Sequence, residues 1–218
     1  MVIFDCNGVL VDSEPIAHAV LADAFARVGI SLSAEAVANR FHGRRPADVF
    51  AAVEGVTGKT LPAAFAAEVS AETMRRFRRE LRPVPHVAHA LTWLRGPKAV
   101  ASSSPLDRIR AGLEAAGLMR YFGSRLFSAS DVAKGKPAPD LFRYAAIRLG
   151  VDAASCIVIE DSVPGVAAAV AAGMTAIGFV GGNATPGRLA NELIEAGARS
   201  VIADMRALKT AVADIRGW

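Results

Sequence analysis

Cysteine is scarce in this sequence: Cys6 and Cys156 are the only two thiols in 218 residues. Each sits in an apolar run, and no Cys/His spacing resembles a zinc site. A disulfide framework and a zinc-built fold are therefore excluded as organising principles, and both thiols read as small core residues. Aromatic residues are also few, at 6% of the chain. The core must then be built from Ala, Val and Leu, and the aromatic interleaving of nucleic-acid-binding surfaces is missing. Charge of one sign is not in large excess. A net charge of +4 and a pI near 9.4 fit a solvated basic surface first and an anionic substrate second, and no nucleic-acid partner is expected. Long hydrophobic runs are absent too, because Arg, Glu, Asp or Pro interrupts each apolar stretch, so no membrane span is expected. Met1 to Asp5 lacks the basic start and apolar run of a signal peptide, which makes the cytoplasm the expected location.

What is present is a rhythm. Short apolar runs recur at Val2–Phe4, Ala99–Ala101, Leu126–Phe127, Ile157–Ile159, Thr175–Val180 and Val201–Ile202. Between them lie helical patterns at Val87–Leu94, Leu106–Ala116, Asp140–Leu149, Val163–Ala172, Arg188–Ala196 and Met205–Ile215. Strands too apolar to alternate, interleaved with amphipathic helices, predict an α/β fold with a parallel sheet covered on both faces. Residues 15–81 break the rhythm. They hold only helical stretches, at Ile16–Val28, Ala34–Phe41, Ala47–Val53 and Ala63–Arg79, and "RPVP" at 82–85 marks the return to extended chain. The expected division is a core of 1–14 and 82–218 with a helical insertion at 15–81.

In open parallel sheets, ligands bind beyond the carboxyl ends of the strands. The residues following the apolar runs are Asp5-Cys-Asn7-Gly8, Ser102-Ser103-Ser104, Lys134-Gly-Lys136-Pro137 and Glu160-Asp161-Ser162. Carboxylates, hydroxyls and an ammonium at one sheet edge suit a phosphate ester held with magnesium. Hard oxygen donors take the cation, and the hydroxyls and lysine offset charge on the phosphoryl oxygens.

These four segments resemble the four ordered motifs of the haloacid-dehalogenase superfamily: "DCNGVLVDSE", "VASSSP", "KGKPAPD" and "IEDSVPGVAAAVAAGM". The resemblance covers essentially the whole chain. It implies a Rossmann-like three-layer core with strand order 5-4-1-2-3 and a small all-helical cap after the first strand. Asp5 would be a nucleophile that forms an aspartyl-phosphate. Asp5, the backbone carbonyl of Asn7, Asp161 and Glu160 (direct or through water) would hold Mg²⁺. Gly8, Ser102, Ser103 and Lys136 would bind the phosphoryl group. Gly43, Arg44 and Arg45 fall where cap families carry a substrate-specificity loop, although a solvated basic turn accounts for them equally well. The implied activity is phosphatase action on a small sugar or sugar-acid phosphate, by a monomer. A β-phosphoglucomutase-like mutase and a non-catalytic phospho-ligand-binding homologue are the alternatives.

One position departs from the family pattern. Asn7 stands where family phosphatases carry an aspartate that serves as general acid and base, and an amide does not exchange protons near neutral pH. General acid–base help is worth ~10²–10⁴-fold, so slow turnover with intact binding is expected. An engineered trap, a naturally slow or non-phosphatase member, and an aspartate read as its amide (Asn-Gly deamidates readily) are all compatible with the sequence.

Overall fold

The computed structural model describes residues 1–41, 44, 46–182 and 186–217. The chain divides into two compact units, one of Met1–Asp12 with Arg82–Trp218 and one of Ser13–Leu81.

In chain order the elements are β1 (Val2–Phe4), α1 (Glu14–Arg27), α2 (Ala34–Phe41), α3 (Pro46–Thr57), α4 (Phe65–Glu80), α5 (Val87–Trp93), β2 (Lys98–Ser102) and α6 (Leu106–Ala115). They continue with β3 (Leu126–Ser128), α7 (Asp140–Leu149), β4 (Ile157–Glu160), α8 (Val163–Ala171), β5 (Thr175–Phe179), α9 (Pro186–Glu195), β6 (Ser200–Ile202) and α10 (Leu208–Arg216).

The larger unit is a parallel sheet in the order β3-β2-β1-β4-β5-β6. The expected order of five strands is present, and β6 extends it outside β5, pairing Gly178 with Val201. β1 is central and pairs with both β2 and β4, which brings Ile3 level with Ala99 on one side and Val158 on the other. That row faces Leu141 and Phe142 from α7 and Val166 from α8, all within one fully buried cluster. From the next position of β1, Phe4 meets Phe122 edge-on at 6.0 Å. A strand apolar on both faces is what burial on both faces requires, and every residue of β1, β2 and β4 is buried.

Parallel strands all point the same way, so the residues following β1, β2, β3 and β4 emerge at one edge. Local chemistry stops each strand there. Ser162, after β4, caps α8 by accepting from the Gly165 amide at 3.2 Å, with Pro164 in the first turn. After β1 the chain turns on itself: the amides of Leu10 and Val11 both donate to the Cys6 carbonyl, and Gly8 N–H donates to the Val11 carbonyl at 2.9 Å.

The smaller unit is built from α1 to α4 and the turns between them, with no strand among its described residues. Its core contains an aromatic trio in which Phe25 stacks on Phe65 at 5.4 Å while Phe50 meets Phe65 edge-on at 5.3 Å. Lys59, in the turn between α3 and α4, donates to the Gly29 carbonyl at 2.6 Å. Among the described residues no helix is long and apolar enough to cross a membrane.

Candidate active site

Asp5 follows the last residue of β1 and is buried at 7% exposure. Its own amide donates to the Ile159 carbonyl at 2.9 Å, which ties the loop after β1 to β4. Lys136, in the loop between β3 and α7, reaches the same place. Its Nζ donates to Asp5 Oδ1 at 2.6 Å, to Glu160 Oε1, and to the Ala101 carbonyl at 3.2 Å. The three side chains are almost entirely shielded, at 5% for Lys136, 9% for Asp5 and 1% for Glu160. Burial alone would depress the ammonium's pKa. The charges and hydrogen bonds of Asp5 and Glu160 overcome it and hold Lys136 above the ordinary lysine range. The same setting makes Cys6 inert, since burial first and the Asp5 charge second push its thiol pKa up.

Glu160 is completely buried, and its two oxygens have separate tasks. Oε1 takes the Lys136 ammonium. Oε2 accepts from the amides of Asp161 and Ser162, at 3.1 and 3.2 Å, and from the Ser162 hydroxyl at 2.9 Å. The carboxylate fills the space beside Gly165, where an added Cβ would lie 2.0 Å from its carboxyl carbon. A carboxylate so engaged on both oxygens anchors Lys136 and the start of α8.

The Asn7 side chain links the loop after β1 to the loop after β2. Its Nδ2 donates to Ser104 Oγ at 2.9 Å, across 97 residues of sequence. Ser104 N–H donates to Ser102 Oγ at 3.3 Å, and Ser128 Oγ donates to the Ser104 carbonyl at 2.8 Å. The loops after β1, β2 and β3 are thus laced together by amide and hydroxyl groups. Ser102 is fully buried, and Ser103 beside it is half-buried.

Gly8 adopts φ +72°, and an added Cβ there would sit 1.8 Å from Asp161 Oδ2. The Asp161 carboxylate therefore occupies the hollow that this glycine leaves open, on the loop that carries Asp5. The oxygen donors of this corner are the carboxylates of Asp5 and Asp161 and the backbone carbonyl of Asn7. Among the described residues no three His, Cys, Asp or Glu side chains gather closely enough to hold a metal by themselves. Two carboxylates with a carbonyl still fit Mg²⁺, which usually takes one or two carboxylates and completes its shell with water and substrate phosphate. A thiolate- or imidazole-seeking metal would find no match here.

The structure therefore brings Asp5, Asn7, Gly8, Ser102, Lys136, Glu160 and Asp161 to one edge of one unit. Lys134, the other lysine of its loop, is exposed. In the helical unit, Arg44 is exposed and its amide donates to the Phe41 carbonyl at 3.0 Å, while Gly43 and Arg45 lie outside the described residues. Ser104 and Ser162 fall in strand-end segments that the sequence marks, but the sequence assigns them no role. The signal that could have marked them is a hydroxyl immediately before a helix: Ser104 precedes Pro105 and α6, and Ser162 precedes α8.

Comparison with known proteins agrees with this arrangement. Residues 1–173 match the haloacid dehalogenase-like hydrolase family model. The chain is 34% identical over 179 residues to a 6-phosphogluconate phosphatase of Escherichia coli K12, covering 82% of this chain and 81% of that protein. It is 31% identical over 210 residues to a phosphorylated carbohydrates phosphatase of Thermotoga maritima, with 92% and 93% covered. Among solved structures, a haloacid dehalogenase-like protein of Agrobacterium tumefaciens superposes with a TM-score of 0.86 at 35% identity, covering 99% of this chain and 98% of that one. A HAD family hydrolase of Deinococcus radiodurans R1, solved with bound phosphate and sodium, gives 0.79 at 34% identity, with 98% and 94% covered. Sequence, sheet order and the convergence of four strand-end loops agree: the chain is an enzyme of the haloacid dehalogenase-like hydrolase family.

Proposed function

We propose that this enzyme is a Mg²⁺-dependent phosphomonoesterase acting on a small sugar or sugar-acid phosphate through an aspartyl-phosphate on Asp5, and that Asn7 makes it slow. The observation that carries this reading is the buried Asp5–Lys136–Glu160 triad at the carboxyl edge of the sheet, beside the Asp161 carboxylate. The phosphatase names of the relatives from Escherichia coli and Thermotoga maritima support the substrate class. In this reading the helical unit is the family's cap, with Gly43, Arg44 and Arg45 in its specificity loop.

Asp5, Asp161 and the Asn7 carbonyl would hold the cation, which when bound supplies positive charge to the phosphoryl oxygens. Asp5, paired with the Lys136 ammonium, attacks phosphorus with one carboxylate oxygen. The bond from phosphorus to the ester oxygen breaks, and its electron pair leaves with that oxygen, which takes a proton from water because the Asn7 amide has none to give. Water then attacks the phosphorus of the aspartyl-phosphate. The bond to Asp5 breaks, its electrons return to the carboxylate, and the water's proton passes to solvent. Ser102 and Ser103 would hold the phosphoryl oxygens, and Lys136 offsets charge on them throughout.

The test is phosphate release from a panel of sugar phosphates with Mg²⁺, for the protein and for Asn7→Asp. Restoring a carboxylate should raise turnover ~10²–10⁴-fold. Equal rates would assign the proton transfer to another group, and no release by either protein would end the phosphomonoesterase reading. A second reading, a phospho-ligand-binding homologue, draws on the Asn7 amide being engaged with Ser104 rather than with a titratable partner. It predicts tight binding with no release even from Asn7→Asp. A mutase would instead convert glucose 1-phosphate to an isomer, which product analysis distinguishes from hydrolysis.

A further inference from the structure

We propose that Lys98 and Arg125, with Arg120 beside them, form a second anion site at the amino edge of the sheet, opposite the edge that carries Asp5, and that it takes a small tetrahedral oxyanion such as phosphate. Such a site is independent of the chemistry at the carboxyl edge.

Lys98 is the first residue of β2 and Ser102 the last, so about 13 Å of strand separates them. Arg125 immediately precedes β3 at the same edge as Lys98, and its carbonyl accepts from the Val100 amide at 2.9 Å. The Arg125 guanidinium reaches two backbone carbonyls: Nε donates to that of Lys98 at 2.7 Å and Nη2 to that of Tyr121 at 3.4 Å. Lys98 Nζ turns back towards the start of its own strand and donates to the Gly96 carbonyl at 3.1 Å. Arg120 adds a third cation. It donates to the Tyr121 hydroxyl at 3.1 Å and lies 5.0 Å from the centre of that ring.

A comparison with Lys136 shows what this edge lacks. Lys136 is shielded from water and bridges two carboxylates, which hold its ammonium above the ordinary lysine range. Lys98 is nearly as well hidden, at 8% exposure, yet among the described residues no carboxylate pairs with Lys98, Arg120 or Arg125. Burial first and the Arg125 charge second hold Lys98 below the ordinary range. The fold accounts for Arg125, whose carbonyl bonds tie β2 to the turn before β3. It does not account for Lys98. That ammonium gives up water for a backbone carbonyl, beside a like charge, with no opposite charge in return. The ammonium and the guanidinium also keep N–H groups that meet no acceptor among the described residues. An oxyanion would supply the missing charge and accept from both, and tetrahedral oxygens can meet donors that arrive from different directions.

The test titrates the full-length protein, without Mg²⁺, with inorganic phosphate and, at matched ionic strength, with sodium chloride, and follows backbone amide resonances by NMR. Phosphate should shift the amides of Lys98, Tyr121 and Arg125 along a saturating curve, and chloride should not. Shifts at Gly8 and Ser102 report phosphate at the other edge separately, so the two sites are read in one experiment. In Lys98→Met the saturating shifts at Tyr121 and Arg125 should vanish while those at Gly8 and Ser102 remain. Urea unfolding gives a second reading. In chloride Lys98→Met should be at least as stable as the native protein, because it buries a similar stem without the charge, and rising phosphate should favour the native protein over the variant, since only the native protein has the site to fill. Linear shifts, equal shifts with chloride, or saturating shifts that survive in Lys98→Met would overturn the proposal. So would a native protein more stable than the variant by a gap that phosphate does not change, since the ammonium would then be compensated within the fold.

Discussion

Two regions of this molecule use the same ionic chemistry to different ends. At the sheet edge, Lys136 bridges Asp5 and Glu160 where no more than 9% of any of the three side chains is exposed. On α4 of the helical unit, Arg75 pairs with Glu72 at 2.6 Å and Arg76 with Glu80 at 2.7 Å, one turn apart along the helix and open to solvent. The bond lengths are alike. The surroundings are not: water already solvates the α4 charges, so those pairs gain little, whereas each charge at the sheet edge depends on the other two. An ion pair's length says little about its work until its burial is known.

Breaking the buried set should have the larger effects. On the proposed mechanism Asp5→Ala removes the attacking oxygen and should abolish phosphoenzyme formation, measured by acid-quenched labelling; turnover retained in that variant would remove Asp5 as nucleophile. Lys136→Met leaves two carboxylates buried without their cation and should cost about 3–5 kcal/mol in urea unfolding. That penalty has a direction in pH. The folded ammonium is held above its ordinary value of 10.5, so its contribution is complete below that value and fades as pH rises past it. The stability gap between native and Lys136→Met should therefore stay level through neutral pH and close only in strong alkali. A gap that closes near neutrality would contradict the triad's electrostatics. Gly8→Ala should cost roughly 1–2 kcal/mol for the left-handed backbone alone, and its Cβ, 1.8 Å from Asp161 Oδ2, should also displace that carboxylate and weaken Mg²⁺ binding in calorimetry. At the far end of the scale, Arg75→Ala should leave the urea midpoint of the helical unit within error; a clear drop would mean that the α4 pairs do more than their exposure implies.

Much of the larger unit is legible in the sequence, because strands buried on both faces must be apolar and must stop where chemistry begins. β1 and α7 have the bounds that periodicity gives, and Asp5, Lys136 and Glu160 each stand in a strand-end loop the pattern marks. The sixth strand is a different matter: Val201–Ile202 is visible as an apolar run, but the family's strand order does not provide for it. Less legible is how the loops meet. Nothing local announces that Asn7 will bond Ser104, since the meeting depends on the heights at which β1 and β2 end in the sheet. Glu160 teaches the same lesson. Its identity suggests a metal ligand or a turn acid, and only the folded backbone, by pointing the Asp161 and Ser162 amides at one of its oxygens, gives that oxygen different company.

Asn7 touches this framework through a single described side-chain bond, to Ser104, whereas the positions of Asp5, Lys136 and Glu160 are set by one another and by backbone amides. Frame and reactivity are thereby largely separable: exchanging one –NH₂ for one oxygen at position 7 alters what the site can do with a proton and reverses the Ser104 contact, from donating to its hydroxyl to accepting from it, while the mutual contacts of Asp5, Lys136 and Glu160 involve no atom that changes. A lineage could lose and regain such an activity by a single substitution, with no detour through an unstable intermediate.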